Sequence, residues 1–299
     1  MSIRIATRGS RLALAQANTV MARLRTAHPG VQFELIEIAT HGDRDQVTPL
    51  NAGQGSGWFT SAIQAALLER QADLAVHSYK DLPTKRPEGL IIAAVPVRED
   101  PRDALVAARK MTLRGLPPGA VVGTSSPRRE AQLRAMRPDL DVRPIRGNVD
   151  TRVAKVDSGE FDAAVLALAG LRRTGIEGRA TEIFGVHDML PAPPKAPSAI
   201  ECRVDDAITR RLIAAIDDPH LREAVTAERS FLATIDAGCS FPAAAYAEHF
   251  GTTLKLHALL APGGRIVRSK MAGSADTAAG LGRSLARELM TLAGMSAPE

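Results

Sequence analysis

Arginines recur in this sequence beside serine, threonine and glycine, at places where a strand pattern gives way to a helix pattern. Arg8 and Arg11 flank the turn in TRGSR, and Ser125, Ser126, Arg128 and Arg129 fall in TSSPRR. Arg146 and Arg152 fall in IRGNVDTR, and Arg172 and Arg173 in LRR. Hydroxyl side chains and free backbone N–H groups at a helix start make an anion site, and guanidinium forks bind carboxylates in bidentate fashion. A solvated basic surface accounts for any one of these arginines, but gives no reason for their recurrence at four strand ends. Lys80 and Asp81 lie in HSYKDLP, just past a third strand pattern. A carboxyl group among arginines has a lowered pKa and stays ionised, ready to stabilise a cation or accept N–H bonds; an ordinary turn aspartate paired with Lys80 reads the same way. His77 reads as a packed or capped histidine. Cys239, in DAGCSFP, lies in a loop between a helix end and a strand, where a thiolate can be nucleophilic, and composition does not decide whether it is reactive or structural. Cys202, in AIECRV, reads as a buried structural cysteine.

The elements that must position these residues follow from hydrophobic period. Residues 3–8, 33–40, 72–78 and 90–97 read as strands, and residues 11–27 as a helix with Leu14, Ala17, Met21 and Leu24 on one face. Residues 41–57 are polar and Gly-rich and read as a loop, and 58–70 as a helix. This alternation implies a mostly parallel sheet covered by helices. A second unit begins in EDPRDALVAA, with strands at 121–125, 141–145 and 162–168 and helices at 127–137 and 149–157. Residues 102–190 hold 15 Lys+Arg against 11 Asp+Glu, so most of the net charge sits there. The Pro-rich stretch LPAPPKAPSA marks a boundary, and residues 199–204 could be a strand returning to the first sheet. The remainder reads as a helix at 219–236, three strands (241–247, 253–260, 265–272) and a final helix carrying Leu281, Leu285, Leu289 and Leu292, a small α+β domain.

The chain has 299 residues, with 38 Lys+Arg and 33 Asp+Glu for a net charge of +5, and 45% hydrophobic residues. That length suggests two or three domains, with cores that need no disulfide or metal staple. No apolar run approaches the ~18–20 residues of a membrane span, and the N-terminus lacks the apolar region of a secretory signal. Two cysteines make no disulfide framework, which points to a reducing compartment. No CxxC, HExxH or EF-hand spacing appears, so no metal is expected. Aromatics are 3% of the chain, too few for base-stacking on single-stranded nucleic acid, and anionic small substrates suit the basic excess better.

Taken in order, RIATRGSRLALAQA, the loop ending in Phe59, ADLAVHSYKDLP, REDPRDALV, VVGTSSPRR, RPDL, RGNVDTR, DAAVLALAGLRR, IECR, VTAERSFL and AGCSFP resemble the hydroxymethylbilane synthase (porphobilinogen deaminase) family nearly end to end. The resemblance implies an α/β fold of two lobes like those of type II periplasmic binding proteins, with mixed, mostly parallel sheets, plus a small α+β third domain. The implied domains are 1–96 with 197–214, 102–190, and 219–299. It implies a cytoplasmic, monomeric transferase that deaminates porphobilinogen and condenses four molecules head to tail into hydroxymethylbilane, releasing ammonia, for haem and other tetrapyrroles. A dipyrromethane cofactor would be attached through Cys239 by a thioether bond. Each pyrrole carries an acetate and a propionate, so two cofactor rings and four substrate rings bear twelve carboxylates, and a crevice dense in arginine is the expected container.

By the same resemblance, Asp81 is the catalytic aspartate with Lys80 beside it. Asp81 would bond pyrrole N–H groups and stabilise the azafulvene cation left when ammonia departs. Lys80, Asp81, Thr124, Ser125, Ser126, Arg128, Arg129, Arg146 and Gly147 would surround the cofactor, and Arg8, Ser10, Phe59, Ser78, Arg146, Arg152 and Arg173 the substrate. Departures from the family pattern are Ser56 at the loop lysine, Ser61 and Ala62 after Phe59, and PKAPSA at 194–199, with Lys195 where glutamine is usual. Pro127, Tyr79 and Ala237 are further departures. They leave two alternatives: a paralogue acting on a different pyrrole or product, and a non-catalytic two-lobed anion-binding protein, for which Asp81 and Cys239 would have no purpose.

Overall fold

The computed structural model describes residues 2–40, 60–79, 82–83, 87–195, 197–236 and 241–296. The chain divides into two compact units, Met1–Glu99 with Lys195–Arg222, and Asp100–Pro194 with Glu223–Glu299. Among the described residues, no helix is long and apolar enough to cross a membrane.

The chain opens the first unit with β1 (Ser2–Thr7), α1 (Arg11–Ala27), β2 (Gln32–Glu37), α2 (Ser61–Leu68), β3 (Leu74–Ser78) and β4 (Leu90–Ala94). It then builds β5 (Asp103–Ala107), β6 (Val121–Gly123), α3 (Pro127–Met136), β7 (Asp141–Arg143), α4 (Val149–Asp157), β8 (Ala163–Ala167), α5 (Leu168–Arg173) and β9 (Glu182–Ile183) in the second. β10 (Ser198–Arg203) and α6 (Ala207–Ala214) return to the first unit. The first sheet runs β2-β1-β3-β10-β4. β1 pairs parallel with β2 and β3, while β10 runs antiparallel between β3 and β4, with Ser198 opposite Ser78. All six residues of β10 are buried, as expected of a strand covered on both faces. The second sheet runs β7-β6-β8-β5-β9, with β5 antiparallel to β8 and β9. Each sheet thus has one interior strand reversed against parallel neighbours, the mixed and mostly parallel pattern expected.

α7 (Pro219–Thr234) leads to the meander β11 (Ala243–Phe250), β12 (Thr253–Leu260) and β13 (Val267–Ser274), closed by α8 (Ala278–Leu292). One face of this sheet packs Ala245, Leu254, Leu256 and Ala258 against Phe231 of α7 and Leu281, Leu285 and Leu289 of α8. A Cβ on Gly282 would lie 2.2 Å from the Ala227 carbonyl oxygen, so only glycine lets the two helices approach this closely. The opposite face carries Ala244, Tyr246 and Leu259, which pack with Ala131 of α3 and Leu190. The meander is therefore a separate sheet in the same compact unit as the second five-stranded sheet.

Element ends differ from the sequence reading where local bonds intervene. The expected strand at 90–97 stops at Ala94, because Val95 N donates to Asp217 Oδ1 at 2.7 Å. The strand at 33–40 stops at Glu37 and the helix at 219–236 at Thr234. The third meander strand starts at Val267 because 262–264 form a 3-10 turn. DALVA, not assigned an element from sequence, is the wholly buried strand β5.

Candidate functional site

In the second unit, the C-terminal ends of β6, β7 and β8 carry three of the arginine-bearing loops named from sequence, TSSPRR, IRGNVDTR and LRR. Ser126 caps α3 by accepting from Arg129 N, and Pro127 at the first helical position has no N–H to satisfy. Thr124 Oγ1 accepts from Ser126 N at 3.2 Å, and Ser125 Oγ donates to the Ile145 carbonyl at 2.7 Å. These bonds fix the turn before the helix. Asn148 caps α4, its Oδ1 accepting from Thr151 N and Thr151 Oγ1 at 2.8 Å each. Gly147 just before it has φ +110°, and a Cβ there would lie 2.6 Å from Thr151 Cγ2, so the turn that presents Arg146 and Arg152 requires glycine.

The guanidiniums on this scaffold differ in their surroundings. Arg128 is 4% exposed. Its Nη2 donates to Asp103 Oδ2 at 2.7 Å and its Nη1 to the Leu190 carbonyl. Arg129 Nη2 donates to Asp103 Oδ1 at 2.7 Å and Nη1 to the Val165 carbonyl at 3.0 Å. One fully buried carboxylate thus holds two arginines, one on each oxygen, by charge-assisted hydrogen bonds. Arg128 Nε and Arg129 Nε remain buried without a hydrogen-bond partner among the described residues. Burial pushes the Arg128 pKa down, Asp103 opposes that and Arg129 adds to it. Arg152 donates from Nε to the Gly147 carbonyl at 2.8 Å. Its pKa is pushed down by burial and then by the positive charges of Arg129 and Arg146. Neither Arg146 nor Arg152 pairs with a carboxylate among the described residues. Arg129, Arg146 and Arg152 therefore form a cluster of like charge with Asp103 as the single paired carboxylate among the described residues, and that imbalance favours a polyanionic ligand. Arg173, half-buried, ends α5 nearby in the sequence, whereas Arg172 pairs with Glu177 at 2.9 Å and Asp100 at 3.3 Å.

In the first unit, Arg8 follows β1 and is half-buried, and Ser10 caps α1 by accepting from Ala13 N at 3.3 Å. Ser78 ends β3, and its hydroxyl donates to Gln16 Oε1 at 2.9 Å. Gln16 Nε2 donates in turn to Ser198 Oγ at 2.7 Å, tying α1, β3 and β10 together at the strand end that precedes Lys80 and Asp81. His77 is packed, as expected, with Nε2 3.1 Å from Glu201 Oε2 but off the line of a straight hydrogen bond. Gln64 Nε2 donates to both Glu201 oxygens at 3.1 Å. Cys202 is fully buried, and burial pushes its thiol up to about 11. Phe59, Lys80, Asp81 and Cys239 lie outside the described residues. Reading from sequence missed Asp103, Gln16 and Leu190; the acid in PRDALV and the amide in ALAQA were the only traces.

Residues 3–211 match the family model described as porphobilinogen deaminase, dipyromethane cofactor binding domain, and residues 222–291 match that of the porphobilinogen deaminase C-terminal domain. A curated protein of Roseiflexus castenholzii named porphobilinogen deaminase is 47% identical over 296 residues, 99% of this chain and 98% of that protein. The chain belongs to the porphobilinogen deaminase family. Among solved structures it is similar to a putative methionine-binding lipoprotein from Bacillus subtilis (11% identity, 72% of this chain and 89% of that one, TM-score 0.43). It is also similar to a YaeC-family lipoprotein from Enterococcus faecalis (12% identity, 73% and 91%, TM-score 0.43). The arginine cluster lies within the span of the porphobilinogen deaminase cofactor-binding model, and Cys239 within that of the C-terminal model.

Proposed function

We propose that Asp81, Cys239 and the arginine cluster of the second unit divide between them the chemistry of this porphobilinogen deaminase. The chain is a hydroxymethylbilane synthase, a transferase that deaminates and condenses four porphobilinogen molecules in tetrapyrrole biosynthesis, with a dipyrromethane cofactor. The observation that carries the residue assignment is Arg152, desolvated and pressed by Arg129 and Arg146 with no carboxylate of its own among the described residues. Such a cluster costs stability in the folded chain and gains it back when ligand carboxylates arrive.

When bound, the dipyrromethane group supplies the pyrrole carbon on which the ring chain grows and four of its carboxylates. Cys239 is assigned its thioether bond, since the chain has two cysteines and Cys202 is buried with its thiol held protonated. Arg129, Arg146 and Arg152, with Ser125 and Ser126, bind acetate and propionate groups, and Arg128 acts through Asp103 by fixing Arg129. Thr124 and Gly147 shape the cofactor loops. Arg8, Ser10, Phe59, Ser78 and Arg173 are assigned to substrate. Asp81, with Lys80, accepts pyrrole N–H bonds and offsets the positive charge that develops as ammonia leaves porphobilinogen. The Ser78–Gln16–Ser198 bonds hold the end of β3, after which Lys80 and Asp81 follow in the sequence.

We read the chain as three domains (1–96 with 197–214, 102–190, 219–299), acting as a cytoplasmic monomer without nucleic-acid or membrane partners. Asp81→Asn is the test of the catalytic assignment. The variant is expected to keep its covalent adduct and nearly abolish turnover, and full turnover would overturn the role given to Asp81.

A further inference from the structure

Away from the arginine cluster, three side chains in the second unit have the composition and spacing of a metal centre. His187 lies in the segment after β9, Glu248 on β11 and His257 on β12. β11 and β12 pair Tyr246 with His257 and Glu248 with Lys255, so Glu248 and His257 stand diagonally on one face of the meander. His187 comes over that face, and its carbonyl accepts from Arg268 Nη1 at 3.0 Å, which anchors the segment to β13. His187 Nε2 lies 3.3 Å from Glu248 Oε2, and His257 Nε2 lies 3.9 Å from the same oxygen. One nitrogen or oxygen from each residue falls within 4.8 Å of the other two, and the imidazole centroids are 4.4 Å apart with a 44° tilt.

A tetrahedral ion with bonds of about 2.0–2.1 Å needs its ligand atoms roughly 3.3–3.4 Å apart. Of the three edges one has that length, a second is 3.9 Å and the third lies within 4.8 Å, an excess that rotation of the two imidazoles closes. The His187 side chain is 51% exposed, so an ion has an entry path and water can take the remaining position. Two imidazoles and one carboxylate suit zinc, copper or nickel, whereas magnesium and calcium prefer all-oxygen sites. Lys255 and Lys270, the register partners of Glu248 and His257, further disfavour an ion held by charge alone.

We propose that His187, Glu248 and His257 form a three-ligand site for a divalent transition metal, zinc foremost, which clamps the segment after β9 to the C-terminal meander. His187 is far in the sequence from Glu248 and His257, which stand on successive strands, and that is why no ligand motif is legible there. The test uses the full-length holoenzyme, freed of metal by chelation and titrated with Co2+ followed by Zn2+. The parent is expected to develop visible cobalt bands of a four-coordinate nitrogen–oxygen site, to lose them on addition of Zn2+, and to melt at higher temperature with Zn2+ present. His187→Ala, on an exposed side chain, and His257→Gln should each weaken binding at least about tenfold and remove the thermal shift. Turnover of metal-free His187→Ala should equal that of the metal-free parent. A parent that binds neither ion, or isotherms that are the same for the parent and both variants, would overturn the proposal.

Discussion

Replacing Asp103 with asparagine removes one negative charge and almost no volume from the point where two arginines meet. Asp103 is fully buried, and the side chains of Arg128 and Arg129 are 5% and 11% exposed. The substitution leaves Arg128 buried without a counter-charge beside a second guanidinium, with the Leu190 carbonyl and one amide oxygen to be shared in place of two carboxylate oxygens. Breaking a buried pair by removing one partner costs about 3–5 kcal/mol. For a unit of this size each kcal/mol moves the melting temperature by roughly 2–4 °C, so Asp103→Asn should lower it by roughly 6–20 °C. Scanning calorimetry of the purified protein measures this. Adding Arg128→Met to the asparagine variant should recover much of the loss, because an apolar side chain of similar length needs no counter-charge. Arg129, nearer the surface, can turn its head toward water. A single variant that melts within about 1 °C of the parent would refute the reading that Asp103 balances this cluster, and so would a double variant less stable than the single.

Arg152→Leu removes a guanidinium that suffers desolvation and the repulsion of Arg129 and Arg146. Turnover should fall at least about tenfold, while melting temperature stays level or rises, the trade expected at a binding site; thermal melts beside a bilane-forming assay check both. Cys202, with its thiol near 11, is about one part in a thousand thiolate at pH 8, so alkylation mapped by peptide mass should leave it unmodified in the native protein. Its folded pKa lies above the ordinary 9.0. Its stabilising contribution is therefore complete below pH 9 and lost as pH rises toward 11, where the unfolded thiol ionises first. Stability curves of Cys202→Ala should lack that decline.

Much of the fold was legible because its strands are continuous apolar runs bounded by polar turns. AIECRV was readable as a returning strand, and the strand it forms, Ser198–Arg203, fills the slot between β3 and β4. DALVA was harder, since a five-residue buried run opening with an aspartate has the look of a turn. The loops that hold the arginine cluster were legible from the hydroxyls and arginines of TSSPRR and IRGNVDTR where strand patterns give way to helix patterns, while the Asn148 cap and the positive φ of Gly147 emerged with the structure. The division of labour among the arginines was not. Arg128 and Arg129 are adjacent in sequence and alike in chemistry, yet one is sealed in by Asp103 and Leu190 while the other stands nearer the surface. That difference depends on partners supplied by β5 and by the segment before Pro191, which no periodicity reveals. Gln16, on the buried stripe of α1, escaped notice for the same reason.

Mass spectrometry of the freshly purified protein, intact and after digestion, bears most directly on the claim that arginines of the second unit seat a thioether-linked dipyrromethane. The parent should exceed its sequence mass by one dipyrromethane group, located on the peptide containing Cys239, while an Arg146→Leu, Arg152→Leu double variant should be purified largely without it. An unmodified Cys239 peptide in the parent, or equal loading of parent and double variant, would contradict the claim.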